Sequence, residues 1–442
     1  MGVRLDIFGS LTFRGFRLIL ENMMSESKER GVRRPAPASG DTVPGIEVLI
    51  EEHIDPLRGR RVGLLTHAAA VARDLRSSIR ILHDDPGIDL AVLFAPEHGL
   101  WGCAQAGEPV DSVRDPGTGL PVRSFYRDVA NLPPSAAEDA DARMRELDTQ
   151  DEGKHPEPDG LRDIDLLVVD LQDVGTRVYT YAATMAYALQ AGARAGLPVT
   201  VLDRPNPLGG VILEGPILDP ELRSFVGAFD VPLRHGLTMG ELARLAASDM
   251  DPAPDLTVIP MRGWKRDMTF EDTGLIWVPP SPNLPVPDSA RVYPGQVLLE
   301  GSNLSEGRGT TRPFELFGAP WMDGAAAADY LNRLDIPGAR FRESRFTPEF
   351  SKHRGLCCGG CRIHVVEPEK LRPVTLTLNI IRWALDRYPQ RFEFHAEYFD
   401  RACGSRDLRR FLEQGRSVES IVVEWAGELE AFRRDRQEVL LY

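Results

Sequence analysis

The stretch DLAVLFA, residues 89–95, runs straight into the turn PEHG, residues 96–99, and its reading decides the fold. A short apolar run that stops at proline and glycine marks a strand buried on both faces, as in a parallel sheet. Three more runs share this form: RVGLLT at 61–66, IDLLVVDL at 164–171 and PVTVL at 198–202. The segments between them read as helices. Ile46–Ile50 suggests a short helix leading to Leu57, 71–83 carries apolar Leu75, Ile79 and Leu82, and 180–195 is alanine-rich. Strands alternating with helices predict an α/β fold with a Rossmann-like parallel sheet covered on both faces. In such sheets the ligand sits beyond the carboxyl ends of the strands. Three of those ends are polar here: Glu97 and His98; Asp170 and Asp173; Asp203, Arg204 and Asn206.

At 442 residues the chain exceeds one ordinary core, so two domains are expected. Residues 43–255 form the Rossmann-like domain and 256–442 a second, smaller α/β domain that completes the cleft. Residues 1–42 read as a disordered tail or start-site extension, and acidic 136–158 as a solvated insertion. In the second domain 325–334 and 375–388 read as helices and 362–366 as a strand, while VPPSPNLPVP at 278–287 is too proline-rich for regular structure. The composition, 42% hydrophobic and 27% charged, is that of a globular protein. A net charge of −14 disfavours nucleic acid and anionic membranes, which need clustered positive charge. No apolar run reaches the ~18 residues that span a bilayer. The run FGSLTFRGFRLIL at 8–20 is broken by Arg14 and Arg17, so no secretory signal is expected and the protein reads as cytoplasmic. Five cysteines, an odd count, agree with reduced thiols. Cys358 and Cys361 match C-x-x-C, but no second pair completes a zinc site.

No G-x-G-x-x-G, no phosphate-binding G-x-x-x-x-G-K-[ST] and no G-x-S-x-G is present, which disfavours nucleotide enzymes and serine hydrolases. Glu97 is the central candidate. A carboxylic acid at the end of an apolar strand can be partly desolvated and so donate a proton near neutral pH. The bland alternative is a helix cap or an arginine partner. His98 could tune it, and Glu108 could return to the same cleft or be a surface carboxylate. Asp170 and Asp173 could serve chemistry or cap a helix. Arg177 with Tyr179 suits a sugar ring and a carboxylate. The rigid loop DRPNPLGG at 203–210 offers Arg204 and Asn206, and Arg234-His235 adds a cation. The densest polar run, 300–315, holds Asn303, Glu306, Arg308, Thr310 and Arg312, and so polar a loop belongs at a surface or a ligand.

Taken together these segments resemble the bacterial exo-β-N-acetylmuramidases. The resemblance runs from about residue 45 to 442 and rests on long motifs in order. They are FAPEHGL at 94–100, AGE at 106–108, the TGLPV that ends 115–122, and the D-x-Q-D-V-G-x-R-x-Y-T-Y pattern at 170–181. LDRPNPLGG at 202–210, RHGLT at 234–238, PSPN at 280–283 and the run at 300–315 complete the set. The resemblance implies removal of terminal β-1,4-linked N-acetylmuramic acid from the non-reducing end of peptidoglycan fragments, without cofactor or metal. It implies acid catalysis by Glu97. The other motif residues, Asn283 included, become substrate-binding candidates. A glycosidase usually needs two carboxyls, ~5–5.5 Å apart for retention or ~6.5–9.5 Å for inversion. Glu306, taken with Glu97 as catalytic, competes with Glu108 and Asp170 to be the second, and a water or the substrate's own acetamido group could also serve. The lactyl carboxylate of the substrate calls for local arginines, for which Arg177, Arg204, Arg234, Arg308 and Arg312 are at hand. The sequence departs from the pattern at Thr66-His67-Ala68-Ala69, where relatives usually carry an Asn-Gln type turn. Two rivals stand: a non-catalytic amino-sugar or muropeptide-binding protein, and a metal-dependent hydrolase built on Glu97, His98, Asp170 and Asp173.

Overall fold

The structure, a computed structural model, describes residues 42–104, 113–125 and 158–442. Glu108, the tail through residue 41 and nearly all of the acidic insertion lie outside the described residues. The part from Thr42 to Tyr442 is one compact unit.

The four apolar runs become strands β1 (Arg61–Thr66), β2 (Asp89–Ala95), β5 (Leu166–Asp170) and β6 (Val199–Leu202). β3 (Val113–Arg114), β4 (Pro121–Ser124) and β9 (Leu256–Ile259) join them in a seven-stranded sheet of order β3-β4-β2-β1-β5-β6-β9, while β7 (Glu214–Ile217) and β8 (Pro232–Arg234) pair antiparallel outside it. Six strands run parallel, and β3 pairs antiparallel on the edge. Side chains alternate across this sheet as the pleat requires. Val62, Leu64, Leu93, Leu166 and Val168 enter one core. Leu65, Val92, Phe94, Leu167, Val169, Val199 and Val201 enter another. That is why these strands read as unbroken apolar runs.

The first core is covered by helices α1 (Gly45–Glu52) and α2 (Ser78–His83), the second by α3 (Tyr181–Ala195) and α4 (Met239–Ser248). The helix expected over 71–83 forms only in its last six residues. Asp74 accepts from the Arg76 amide at 3.0 Å and bends the chain, Leu75 takes φ 66°, and Ser77 then caps α2 by accepting from the Arg80 amide. α3 ends on Gly196 at φ 64°, a left-handed cap that suits glycine. β9 lies immediately beyond the boundary expected at 255 yet pairs with β6, so the parallel sheet extends to Ile259.

The C-terminal part opens with α5 (Pro287–Gln296), whose first-turn proline ends the irregular proline-rich stretch, and a 3-10 turn, Val297–Gly301. β10 (Leu316–Ala319), β11 (Ala339–Phe346) and β12 (Cys358–Val365) form a small antiparallel sheet of order β10-β12-β11. It packs with α6 (Gly324–Arg333), and α7 (Pro373–Arg387) packs against α5. Short helices follow from Ala396 onward, and the last residue, Tyr442, donates its hydroxyl to Asp203 at the end of β6 at 2.7 Å. The second core runs without a break from the parallel sheet into this lobe. Cys358 and Cys361 stand three apart on β12, so they face opposite sides, and burial pushes both thiols up to about 12. Among the described residues no helix is long and apolar enough to cross a membrane.

Candidate active site

β2 delivers the chain into a closed turn. The Ala104 amide donates to the His98 carbonyl at 3.3 Å, and the His98 imidazole Nδ1 meets the Ala104 carbonyl at 3.0 Å. His98 is buried at φ 68°, a conformation costly for a side chain and held here by those two bonds. The turn presents Glu97, which is half-buried. Its Oε2 accepts from the Thr180 hydroxyl at 2.6 Å. The Tyr181 hydroxyl lies 3.2 Å from the Glu97 carbonyl and 3.0 Å from that of Pro280. Two residues at the start of α3 thus fix both the backbone and the carboxyl of Glu97.

Glu97 forms one wall of a shallow pit of about 40 Å³, a floor for part of a ligand and not a chamber that encloses one. His98, Tyr179 and Thr180 flank it, with Ser281 and Asn283 from the proline-rich stretch. The far wall comes from the C-terminal lobe: Tyr293, Glu300, Arg308, Phe314 and Tyr398. Arg308 donates from Nε to Glu300 at 2.9 Å, reaches the same oxygen from Nη2 at 2.7 Å, and stacks over Phe314 at 5.0 Å. Burial works against the Arg308 charge, but Glu300 and Glu306 outweigh it and raise its pKa. Tyr293 and Tyr179 stand edge-on at 6.2 Å and join the two walls.

Of the expected site residues, the pit gathers Glu97, His98, Tyr179, Asn283 and Arg308. The other candidates among the described residues do not line it. Asp170 is buried, accepts from Arg204 Nε at 2.5 Å and Nη2 at 2.9 Å, and also binds Ser78. Arg204 spends its remaining nitrogen on the Val71 carbonyl. Asp173 accepts from the Gly175 amide at 2.6 Å and faces His235 at 3.4 Å, while His235 Nδ1 accepts from the Leu237 amide. Arg177 is buried, and its guanidinium donates to the carbonyls of Pro216, Val231 and Cys403. Arg234 donates to those of Leu371 and Leu208. Burial lowers both guanidinium pKa values to about 10. Asn206 bonds the Leu237 carbonyl and the Leu208 amide, and Asn303 bonds the backbone at Arg391 and Glu393. Thr310 donates to the Gly307 carbonyl, and Arg312 is part-exposed beside Glu315 at 3.4 Å. The run at 300–315 is therefore no solvated loop: Ser302, Ser305 and Glu306 are buried. Glu306 faces Lys352 at 2.8 Å and Arg308 at 3.7 Å, behind the pit.

Tyr293 and Tyr398 escaped the sequence reading, and Thr180 and Glu300 stood inside its motifs without being singled out. Glu300 opens the polar run, so a signal existed. Tyr398 donates to Glu300 Oε2 at 2.7 Å across 98 positions, and nothing local marks it. His67, where the turn departs from relatives, accepts from the Gln172 amide at 2.9 Å and packs edge-on against Tyr181 at 4.8 Å. Burial, then Arg204, lowers its pKa to about 3, so it is a neutral buttress behind Glu97.

A parallel sheet whose strand end carries a half-buried glutamate, faced by an arginine–carboxylate pair from a second lobe, defines an α/β protein built to hold a polar ligand between its lobes. The family model for the N-terminal part of exo-β-N-acetylmuramidase NamZ matches residues 62–153 and 147–288, and the model for its C-terminal part matches 291–442. The chain belongs to this exo-β-N-acetylmuramidase family. It is 43% identical over 418 residues, 94% of each chain, to the peptidoglycan β-N-acetylmuramidase NamZ of Bacillus subtilis strain 168. Two DUF1343 family crystal structures from Bacteroides fragilis NCTC 9343 share the fold. One is 35% identical with TM-score 0.79, covering 92% of this chain and all of that one. The other is 27% identical with TM-score 0.68, covering 91% of this chain and 99% of that one.

Proposed function

We propose that the chain is a glycoside hydrolase that releases terminal β-1,4-linked N-acetylmuramic acid from the non-reducing end of peptidoglycan fragments. The observation that carries this is the meeting of Glu97 and Arg308 in one pit, in a chain 43% identical to a peptidoglycan β-N-acetylmuramidase. Glu97 is the general acid. It gives its proton to the glycosidic oxygen as the bond to the sugar's C1 breaks, and water supplies the hydroxyl at C1. Thr180 orients the carboxyl by donating to the oxygen that does not carry the proton. Arg308 receives the lactyl carboxylate. Its Nε and Nη2 are committed to Glu300, and Nη1 has no partner among the described residues. The five cysteines are free, which agrees with a reducing compartment, and a cytoplasmic role in cell-wall recycling is part of the same proposal.

The test is hydrolysis of the β-1,4-linked muramic acid–glucosamine disaccharide, whose poor leaving group needs an acid. Glu97→Gln is expected to lose at least ~100-fold in kcat, the scale of general acid catalysis. A Glu97→Gln enzyme as fast as wild type sinks the assignment. Equal kcat/KM on the analogue without the lactyl group sinks the role of Arg308. A protein that binds the disaccharide but never cleaves it is a binding module instead.

A further inference from the structure

We propose that Glu300 is the second carboxylate of the cleft, with its Oε2 taking the proton of the attacking water, and that Glu306 is a positioning residue acting through Arg308. This rests on the muramidase reading above. Glu300 and Glu97 line the same pit from opposite lobes, whereas Glu306 lies behind it against Lys352 at 2.8 Å. Tyr293 lines the pit with both carboxylates. Burial raises the Tyr293 pKa, and the charges of Glu300 and then Glu97 add to the rise.

The bonds of Glu300 leave one acceptor position. Oε1 accepts from Nε of Arg308 at 2.9 Å and stands against its Nη2 in an ion pair at 2.7 Å, so the guanidinium covers that oxygen. Oε2 takes only the Tyr398 hydroxyl at 2.7 Å, and a carboxylate oxygen accepts two bonds. The free position belongs to Oε2. The void is about 40 Å³, and roughly 10–15 Å³ is enough for one water. A water between two carboxyls is what an inverting glycosidase requires. The step balances: the glycosidic bond breaks, its oxygen takes the Glu97 proton, water oxygen bonds to C1, and the released proton goes to Glu300. Solvent then returns a proton from Glu300 to Glu97. Glu306 touches neither the sugar nor the water. Between Lys352 and Arg308, it holds the guanidinium that in turn holds Glu300.

The experiment follows disaccharide cleavage by wild type, Glu97→Gln, Glu300→Gln, Glu300→Ala and Glu306→Gln, with the first-formed anomer read by proton NMR. Wild type is expected to give the α anomer from the β-glycoside. Glu300→Gln should lose at least ~100-fold in kcat with little change in KM, and lose the acidic limb of its pH profile. Azide should speed Glu300→Ala at least tenfold and yield a glycosyl azide, because azide needs no base. Glu306→Gln should lose less than tenfold, mostly in KM, with its pH profile unchanged. A β anomer from wild type overturns the proposal, and that measurement needs no variant to fold. So does a Glu300→Gln enzyme with near-normal kcat beside an inactive Glu97→Gln, which leaves the muramidase reading intact. If Glu97→Gln is itself as fast as wild type, the earlier reading is what fails. An equal collapse of kcat in Glu306→Gln and Glu300→Gln overturns the division of roles.

Discussion

The hydroxyl of Thr180 donates to Glu97 Oε2 at 2.6 Å and steadies the proposed acid. Thr180→Val keeps the shape and removes the donor. One hydrogen bond to a charged or reacting group is worth ~1.5–3 kcal/mol, so kcat on the disaccharide should fall at least tenfold with melting temperature almost unchanged. At this scale the placing of Glu97 at a cleft was legible in the sequence, and that of the cations much less so. Arg177, Arg204, Arg234 and Arg308 sit in equally polar motifs. What separates them is the position of their acceptors. For Arg177 these are carbonyls at 216, 231 and 403, which no local pattern announces. Polar composition marks a site and a buried scaffold alike, because a guanidinium bonded to backbone carbonyls needs the same residue as one that holds a ligand.

Among the elements, the 3-10 turn Val297–Gly301 matters most, since it carries Glu300 to the pit. Lys352 clamps it and the segment that follows. Its buried ammonium donates to the carbonyls of Leu299, Ser302 and Leu304 and faces Glu306. Lys352→Met strands a buried carboxylate and three acceptors. Removing one partner of a buried pair costs ~3–5 kcal/mol, and the double change Lys352→Met/Glu306→Leu should recover part of it in urea denaturation. Just before this turn α5 crosses α7 at Gly295, where an added Cβ would lie 1.9 Å from the Pro373 carbonyl. Gly295→Ala must push the helices apart, an overpacking cost of at least ~1–3 kcal/mol by the same measurement. Strands were the legible elements: DLAVLFA is β2 residue for residue, because burial on both faces writes an unbroken apolar run. The 71–83 helix was not, since the Asp74 bend that delays it to Ser78 depends on a side-chain bond and not on periodicity.

For the molecule as a whole, Asp203 ties acidity to stability. Burial raises its pKa from 3.8 to about 6, against the bonds from Gly240, Tyr442 and Thr238. The folded carboxyl therefore keeps a proton that the unfolded chain has already released. Between those two values folding binds a proton, so this group's contribution is full below 3.8 and declines as pH rises to about 6. Wild-type stability measured against Asp203→Asn should fall across that window by on the order of 2–3 kcal/mol and stay level above it. A difference that stays flat from pH 3.5 to 7 would refute this. The two-lobe architecture was legible from length and alternation, but its seam was not. Residue 255 marks a change of composition, while β9 answers to pairing with β6.

The reach of Arg177 from the end of the parallel sheet to the Cys403 carbonyl also bears on how such proteins can be recombined. A side chain whose acceptors lie partly in the other half makes the halves co-dependent heirs. A chimera joining this chain's residues 42–288 to a relative's C-terminal half succeeds only if that half offers a carbonyl at the corresponding place. Grafting a single lobe to change specificity therefore transplants an unanswered guanidinium along with the wanted contacts.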